Sequence, residues 1–204
     1  TMQELLTGKR RLPGFSGEWE ENKLGEVAAL RVDRATPTIQ TAGRVVELDD
    51  IESGSGKLSA DHFGPQSVSL KSVFNPGDVL FGKLRAYLRK YWLCDSPGLC
   101  STEFWVLIPR QDKVSSEYLF EIVQTRAFVE AATLSYGTHM PRSDWKIVKE
   151  LLLKLPSIAE QTAIAAVLSE MDSEISTLEQ KLSKARAIKQ GMMQELLTGR
   201  IRLV

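Results

Sequence analysis

Two stretches gather cations and aromatics at spacings suited to a polyanion. GKLRAYLRK (Gly82–Lys90) sets Lys83, Arg85, Arg89 and Lys90 among Leu84, Tyr87 and Leu88. SYGTHMPRSDWK (Ser135–Lys146) supplies Thr138, His139, Arg142 and Lys146 beside Tyr136 and Trp145. Lysine and arginine neutralise phosphates, while arginine, histidine and threonine can also hydrogen-bond base edges. Such a set would bind DNA. The same residues would equally suit a solvated basic face, and sequence chemistry alone leaves both readings open.

Other chemistries lack a required partner. GSGKLS (Gly54–Ser59) suggests a phosphate loop, but Leu58 follows Gly56-Lys57 where Ser or Thr is needed, and position 51 is not glycine. NPGD (Asn75–Asp78) lacks the second proline and the aromatic of an amino-methyltransferase motif and reads as a turn. The two histidines, His62 and His139, have no helical i,i+4 partner, so no metal site is expected. No G-x-S-x-G elbow supports a serine triad. No catalytic residue and no cofactor of this chain's own is therefore expected. The spacing of Cys94 and Cys100 fits no common zinc pattern, and both read as reduced cytosolic thiols. No apolar run is long enough to span a bilayer and no secretory leader is evident, so a cytoplasmic protein without a membrane partner is expected. The charge balance, 26 Lys+Arg against 26 Asp+Glu, argues weakly against binding nucleic acid alone.

The elements that must position the two cationic stretches are legible in outline. Residues 44–51, 77–84, 91–95 and 102–109 carry strand chemistry, separated by turn residues such as Ser53–Gly56 and Asn75–Gly77. Helical spacing predicts one helix over Ser115–Thr133 and a shorter one over Ser143–Glu150, after which LLLKLP (Leu151–Pro156) leads into a different region. The expected fold class is α+β: a mixed domain with a strand-rich core over residues 13–156, then one long helix over 157–204.

That helix is strongly signalled. From Ser157 to Thr198 there is no proline and one glycine, Gly191, a stretch about 60 Å long as a helix. Ser157 with Glu160 forms a capping-box pattern, and Gly199 supplies a stop. Ile164, Leu168, Met171, Ile175, Leu178, Leu182, Ala185, Met192 and Leu196 step alternately by four and three, missing only at Lys189. This 3.5-residue period predicts a coiled-coil seam. The bland alternative, an amphipathic helix lying on its own domain, suits ~60 Å poorly, since a 155-residue domain has a radius of gyration of roughly 15 Å. Ser157–Gln180 holds five acids and no base, whereas Lys181–Val204 holds six bases against one acid. An identical antiparallel partner would lay acid against base along the whole length, so an antiparallel coiled coil with a second copy is expected.

The string MQELLTG occurs twice, at Met2–Gly8 and Met193–Gly199, and Thr1–Leu12 matches Met192–Leu203 at nine of twelve positions. The second copy closes the long helix. The first, within residues 1–12, is expected to be the end of an equivalent preceding helix, one mark of a repeat.

Four segments carry a family resemblance: LPGFSGEWEENKLGEV (Leu12–Val27), GDVLFGKLRAYLRK (Gly77–Lys90), CSTEFWVLIPR (Cys100–Arg110) and GTHMPRSDWKIVKELLLKLPSIAEQTAIAAVL (Gly137–Leu168). The most specific piece is Pro-x-x-x-Glu-Gln at Pro156–Gln161. Together they make the chain resemble one half of the specificity subunit of type I restriction-modification systems. The resemblance implies a target-recognition domain that reads one half of a split double-stranded DNA site, with Lys83, Arg85, Arg89, Lys90, Thr138, His139 and Arg142 as the candidate contacts. It further implies a helix that acts as a ruler and docks methyltransferase (modification) subunits, which hold S-adenosylmethionine, and a restriction subunit where a system has one. Family members carry two such domains and two antiparallel helices. One domain with one helix implies a homodimer reading a split palindrome, or a piece of a two-domain subunit. A coiled-coil adaptor that binds protein, and a cryptic enzyme, are the competing classes.

Overall fold

The computed structural model describes residues 2–37, 43–59, 62–63, 69–134 and 141–200, and it divides into two units, residues 1–165 and 166–204. In the first unit, helix α1 (Met2–Leu6) is followed by β1 (Glu20–Lys23), the one-turn helix α2 (Leu24–Val27), β2 (Ala28–Leu30), β3 (Arg34–Ala35), β4 (Arg44–Val46) and β5 (His62–Phe63). Then come β6 (Lys71–Phe74), β7 (Val79–Gly82), β8 (Tyr91–Leu93), β9 (Gly98–Cys100) and β10 (Phe104–Pro109). Helices α3 (Ser116–Gln124), α4 (Arg126–Thr133) and α5 (Trp145–Val148) precede β11 (Leu152–Leu155), and α6 (Ile158–Leu197) follows. The α+β class with one long C-terminal helix is as the sequence led us to expect.

Among the described residues the strands form three sheets. One is an antiparallel four-stranded sheet in the order β2-β10-β7-β8. A second runs β3-β6-β9-β4-β5, antiparallel except for the β4–β9 pair. The third is the pair β1-β11, in which Glu20 faces Leu155 and Lys23 faces Leu152. Pleating explains why β7 is buried at every position: alternate side chains go to opposite faces, and both faces are covered. Leu80, Phe104 and Val106 join Trp92 in a core cluster with Val46, Ile51, Phe74, Cys94 and Cys100. Phe81 and Trp105 belong to the other face: the Phe81 ring meets Phe128 of α4 edge-on at 4.8 Å, and Trp105 meets Trp145 of α5 at 5.5 Å. Both cysteines are free thiols in the core, and burial pushes their pKa values up.

Several local expectations are corrected. The strand over 44–51 stops at Val46 and gives way to a 3₁₀ turn at Leu48–Asp50. The single helix over 115–133 breaks at Thr125, whose backbone is extended (φ −63°, ψ 150°) and whose hydroxyl accepts from the Phe128 N–H at 3.3 Å. A threonine that can cap a new helix competes with continuing the old one. The helix over 143–150 shrinks to the four residues of α5, capped by Asp144. Leu152–Leu155 is not a mere connector but the strand that pairs with β1.

Helix α6 runs for 40 residues. Ser157 accepts from the Glu160 N–H at 3.4 Å, yet Glu160 does not return the bond of a capping box; its carboxylate is taken by Arg11, Nε to Oε1 at 2.6 Å and Nη2 to Oε2 at 2.7 Å. In the second unit, Met171, Ile175, Leu178, Leu182 and Met192 are each 40–60% exposed. The two MQELLTG copies end in the same way. Thr7 and Thr198 donate hydroxyl bonds to Gln3 O and Gln194 O, at 2.6 and 2.7 Å. Gly8 and Gly199 both take φ +71°, the left-handed stop that favours glycine. The first copy buries Leu5 and Leu6, whereas Leu196 and Leu197 of the second are exposed.

Candidate nucleic-acid interface

The two cationic stretches, far apart in sequence, are laced together by main-chain bonds at the rim of the four-stranded sheet. Arg85 N–H donates to Pro141 O at 3.0 Å, and Ser143 N–H donates to Lys83 O at 2.9 Å. Leu84 and Arg142 form an isolated β-bridge. Lys83 N–H in turn bonds Glu103 O at 2.9 Å, which attaches the pair to the start of β10. The Ser143 hydroxyl donates to Ala132 O at the end of α4.

The loop after β7 is held in an unusual shape. Gly82, the last residue of β7, sits where a Cβ would lie 3.0 Å from Leu48 and 3.4 Å from Lys90, so its neighbours pack closely against the backbone there. A 3₁₀ turn at Ala86–Leu88 is bracketed by Arg85 (φ 54°) and Arg89 (φ 52°), both left-handed. Such a conformation costs about 1–2 kcal/mol for each non-glycine residue, and it persists only where surrounding contacts overdetermine it. The buried Ala86 and the Gln124 carbonyl, which accepts from Arg89 Nη2 at 3.1 Å, supply those contacts. The turn carries Tyr87 and Leu88 at an exposed tip.

Arg85, Arg89 and Arg142 are exposed and Lys83 is half-buried. Lys90 is turned inward: its ammonium donates to Leu48 O at 2.8 Å and lies 3.8 Å from Asp49. Arg142 forms a two-bond pair with Glu103, Nε to Oε2 at 2.9 Å and Nη2 to Oε1 at 3.0 Å. The Arg142 hydrogen bonds hold the Glu103 carboxyl below its usual pKa and raise that of Arg142. Thr138 and His139 lie outside the described residues. Glu103 did not stand out in the sequence; its only signal is an acid at the head of a run of apolar strand residues.

The Pro156–Gln161 motif has a structural meaning. Gln161 is wholly buried, donates to Lys113 O at 2.8 Å and Pro156 O at 3.0 Å, and accepts from Ser115 N–H at 3.0 Å. One amide thus joins the start of α6 to the N-cap of α3. Of the predicted seam, Ile164 is wholly buried and Leu168 is 5% exposed, while Met171, Ile175, Leu178, Leu182, Met192 and Leu196 are open. Among the described residues no group of three or more His, Cys, Asp or Glu is placed to hold a metal, and no helix is long and apolar enough to cross a membrane.

Comparison with known proteins agrees with this architecture. The EcoDI type I restriction enzyme specificity subunit of Escherichia coli is 24% identical over 200 residues, covering 95% of this chain and 44% of the relative. The MjaVIII specificity subunit of Methanocaldococcus jannaschii is 29% identical over 126 residues, 61% of this chain and 26% of the relative. The chain therefore spans less than half the length of these curated relatives. Among solved structures, the HsdS subunit of Thermoanaerobacter tengcongensis superposes with a TM-score of 0.69 at 25% identity, over 91% of this chain and 49% of that one. A chain from a structure of an assembled type I R-M system gives 0.71 at 25% identity, over 95% and 51%. The model of the type I restriction modification DNA specificity domain matches residues 16–186, and the chain belongs to that family.

Proposed function

We propose that the chain is a DNA-recognition module of a type I restriction-modification system, without catalysis of its own, that reads one half of a split site. The observation that carries this reading is the lacing of the two cationic loops. Bonds from Arg85 to Pro141 and from Ser143 to Lys83 bring Lys83, Arg85 and Arg142 close together, with Arg89 in the same loop, and this supports a shared contact surface. Thr138 and His139 belong to the same proposed contact set, and Lys90 serves it by shaping the loop. The long helix docks modification subunits, which supply S-adenosylmethionine and the methyl transfer, and a restriction subunit joins where the system has one.

A second copy pairs along the helix. The exposed apolar positions from Met171 to Leu196 and the acid-first, base-last charge order support an antiparallel homodimer. Two-fold pairing then sets two identical half-sites in inverted orientation, since site symmetry mirrors protein symmetry. The cell compartment is the cytoplasm, where the DNA lies. Mapping methylated positions genome-wide, in a host carrying this chain and a modification subunit, tests the reading directly. A split palindromic motif is the expected result. Absence of any motif dependent on this chain overturns it.

A further inference from the structure

A carboxylate bonded into a cationic rim that is proposed to meet DNA needs a reason, because it repels phosphate. Glu103 is such a group, and it lies in the turn immediately before β10, one of the central strands of its sheet. Its backbone is fixed on both sides of the peptide unit: the carbonyl accepts from Lys83 at 2.9 Å and the N–H reaches the Ser101 hydroxyl at 3.3 Å. From this fixed base it takes the Nε and Nη2 edge of Arg142 with two bonds at 2.9 and 3.0 Å. The guanidinium has five donors in one plane, and this pairing consumes the side-on fork. Among the described residues Nη1 has no partner, so the end-on edge formed by Nη1 and Nη2 is left to face outward. That edge is the one that can donate two parallel bonds to a single base, as arginine does to guanine O6 and N7.

We propose that Glu103 is a positioning and specificity-determining residue: it locks Arg142 as a base reader and cancels its charge towards phosphate. This rests on the DNA-recognition reading above. A free arginine at the rim would bind any phosphate it could reach. The Glu103–Arg142 pair carries no net charge, so it adds little to the counterion release that drives sequence-independent binding. It retains the planar fork, and that fork rewards one base over the others. Arg85 and Arg89, which have no carboxylate bridge among the described residues, are left as the backbone contacts.

The test uses the full chain assembled with its modification subunit, in two arms. In the first, genome-wide methylation is mapped for the wild type, Glu103→Gln and Arg142→Lys. The wild type marks one split motif. Both variants mark the same motif relaxed at one base pair in each half-site, because each loses the locked planar fork. In the second arm, binding to a non-cognate duplex is measured against salt. Glu103→Gln steepens the dependence of log affinity on log salt by about one unit, as one more phosphate is neutralised, whereas Arg142→Lys leaves it unchanged. A merely structural role for Glu103 would lower assembly without changing either the motif or the slope. If the wild type marks a motif and both variants mark the identical one, the positioning role is wrong and the recognition function stands. If the wild type marks no motif at all, the recognition reading falls and takes this inference with it.

Discussion

The guanidinium of Arg11 grips the carboxylate of Glu160 through two parallel bonds at 2.6 and 2.7 Å, joining the segment after the first repeat copy to the first turn of the long helix. Glu160 is 2% exposed and Arg11 27%. Arg11 also donates to Gly17 O at 2.9 Å and lies 5.6 Å from the Trp19 ring centroid. Removing one partner strands a buried charge, which costs roughly 3–5 kcal/mol. Arg11→Ala is expected near the lower end of that range, since water reaches its side. Replacing both residues by apolar ones of similar size should recover most of the loss. Urea unfolding of the two single variants and the double variant measures this, and equal losses in all three would refute the pairing.

Gln161 is the second structural anchor. Gln161→Leu keeps the volume but leaves the Ser115 N–H and the Pro156 and Lys113 carbonyls short of a partner. Each unsatisfied buried group costs about 1–3 kcal/mol. The expected signature is a lower urea midpoint together with faster amide exchange at Ser115. Unchanged exchange there would show that the amide bond does not hold the α3 cap.

The proposed homodimer is expected to depend on the open seam. Leu178→Glu with Leu182→Glu puts charges at two positions now about half exposed. Sedimentation velocity should then show a monomer where the wild type shows a dimer. Raising salt should weaken the wild-type dimer, because an acid-to-base antiparallel pairing of exposed charges is screened beyond about 10 Å at 0.1 M. A dimer indifferent to both changes pairs through another surface.

Arg85 and Arg89 are expected to make opposing contributions to stability and to the proposed DNA binding. Replacing either with glycine relieves a left-handed strain of about 1–2 kcal/mol, partly offset by glycine's extra chain entropy of roughly 0.5–1 kcal/mol. Folding stability should stay level or rise by up to ~1 kcal/mol at Arg85, and rise less at Arg89, whose bond to the Gln124 carbonyl is lost. DNA affinity should fall across all sequences as a phosphate contact is lost. A melting curve alongside a filter-binding titration separates the two effects; a joint drop would mean that the arginines are structural.

The pH behaviour of Glu103 has a defined sign. Its folded pKa is lowered by the Arg142 bonds, so the pair's stabilisation is present above the unfolded carboxylate value of about 4.3 and fades as pH falls through the lowered folded value. Carboxyl NMR titration should find Glu103 below the ordinary glutamate range in the wild type and higher in Arg142→Met. No upward movement in that variant would remove Arg142 as the cause.

Local chemistry decided much of this protein. The sequence alone located the long helix, because the 3.5-residue period, the Ser157 cap and the Gly199 stop each act over only a few residues of chain. It marked the MQELLTG copies as helix ends, and both copies close on a left-handed glycine. It picked out the two cationic loops, because their composition differs from everything around them.

What it did not decide are relationships that depend on which distant groups meet. Nothing in the chain's periodicity pairs Leu84 with Arg142 or Glu20 with Leu155, since strand register is set by the packed sheet. Lys90 and Arg89 are neighbours of like charge, yet one ammonium turns into the domain and the other cation stays exposed, because only the fold puts the Leu48 carbonyl within reach. The 115–133 segment has helical spacing throughout, and the break at Thr125 reflects a capping hydroxyl within a packed helical layer. Glu160 was legible as a cap residue, but Arg11, 149 residues away, claims its carboxylate. Seam, caps and composition are local properties of the chain; partners across the core exist only once the sheets and helices have closed around them.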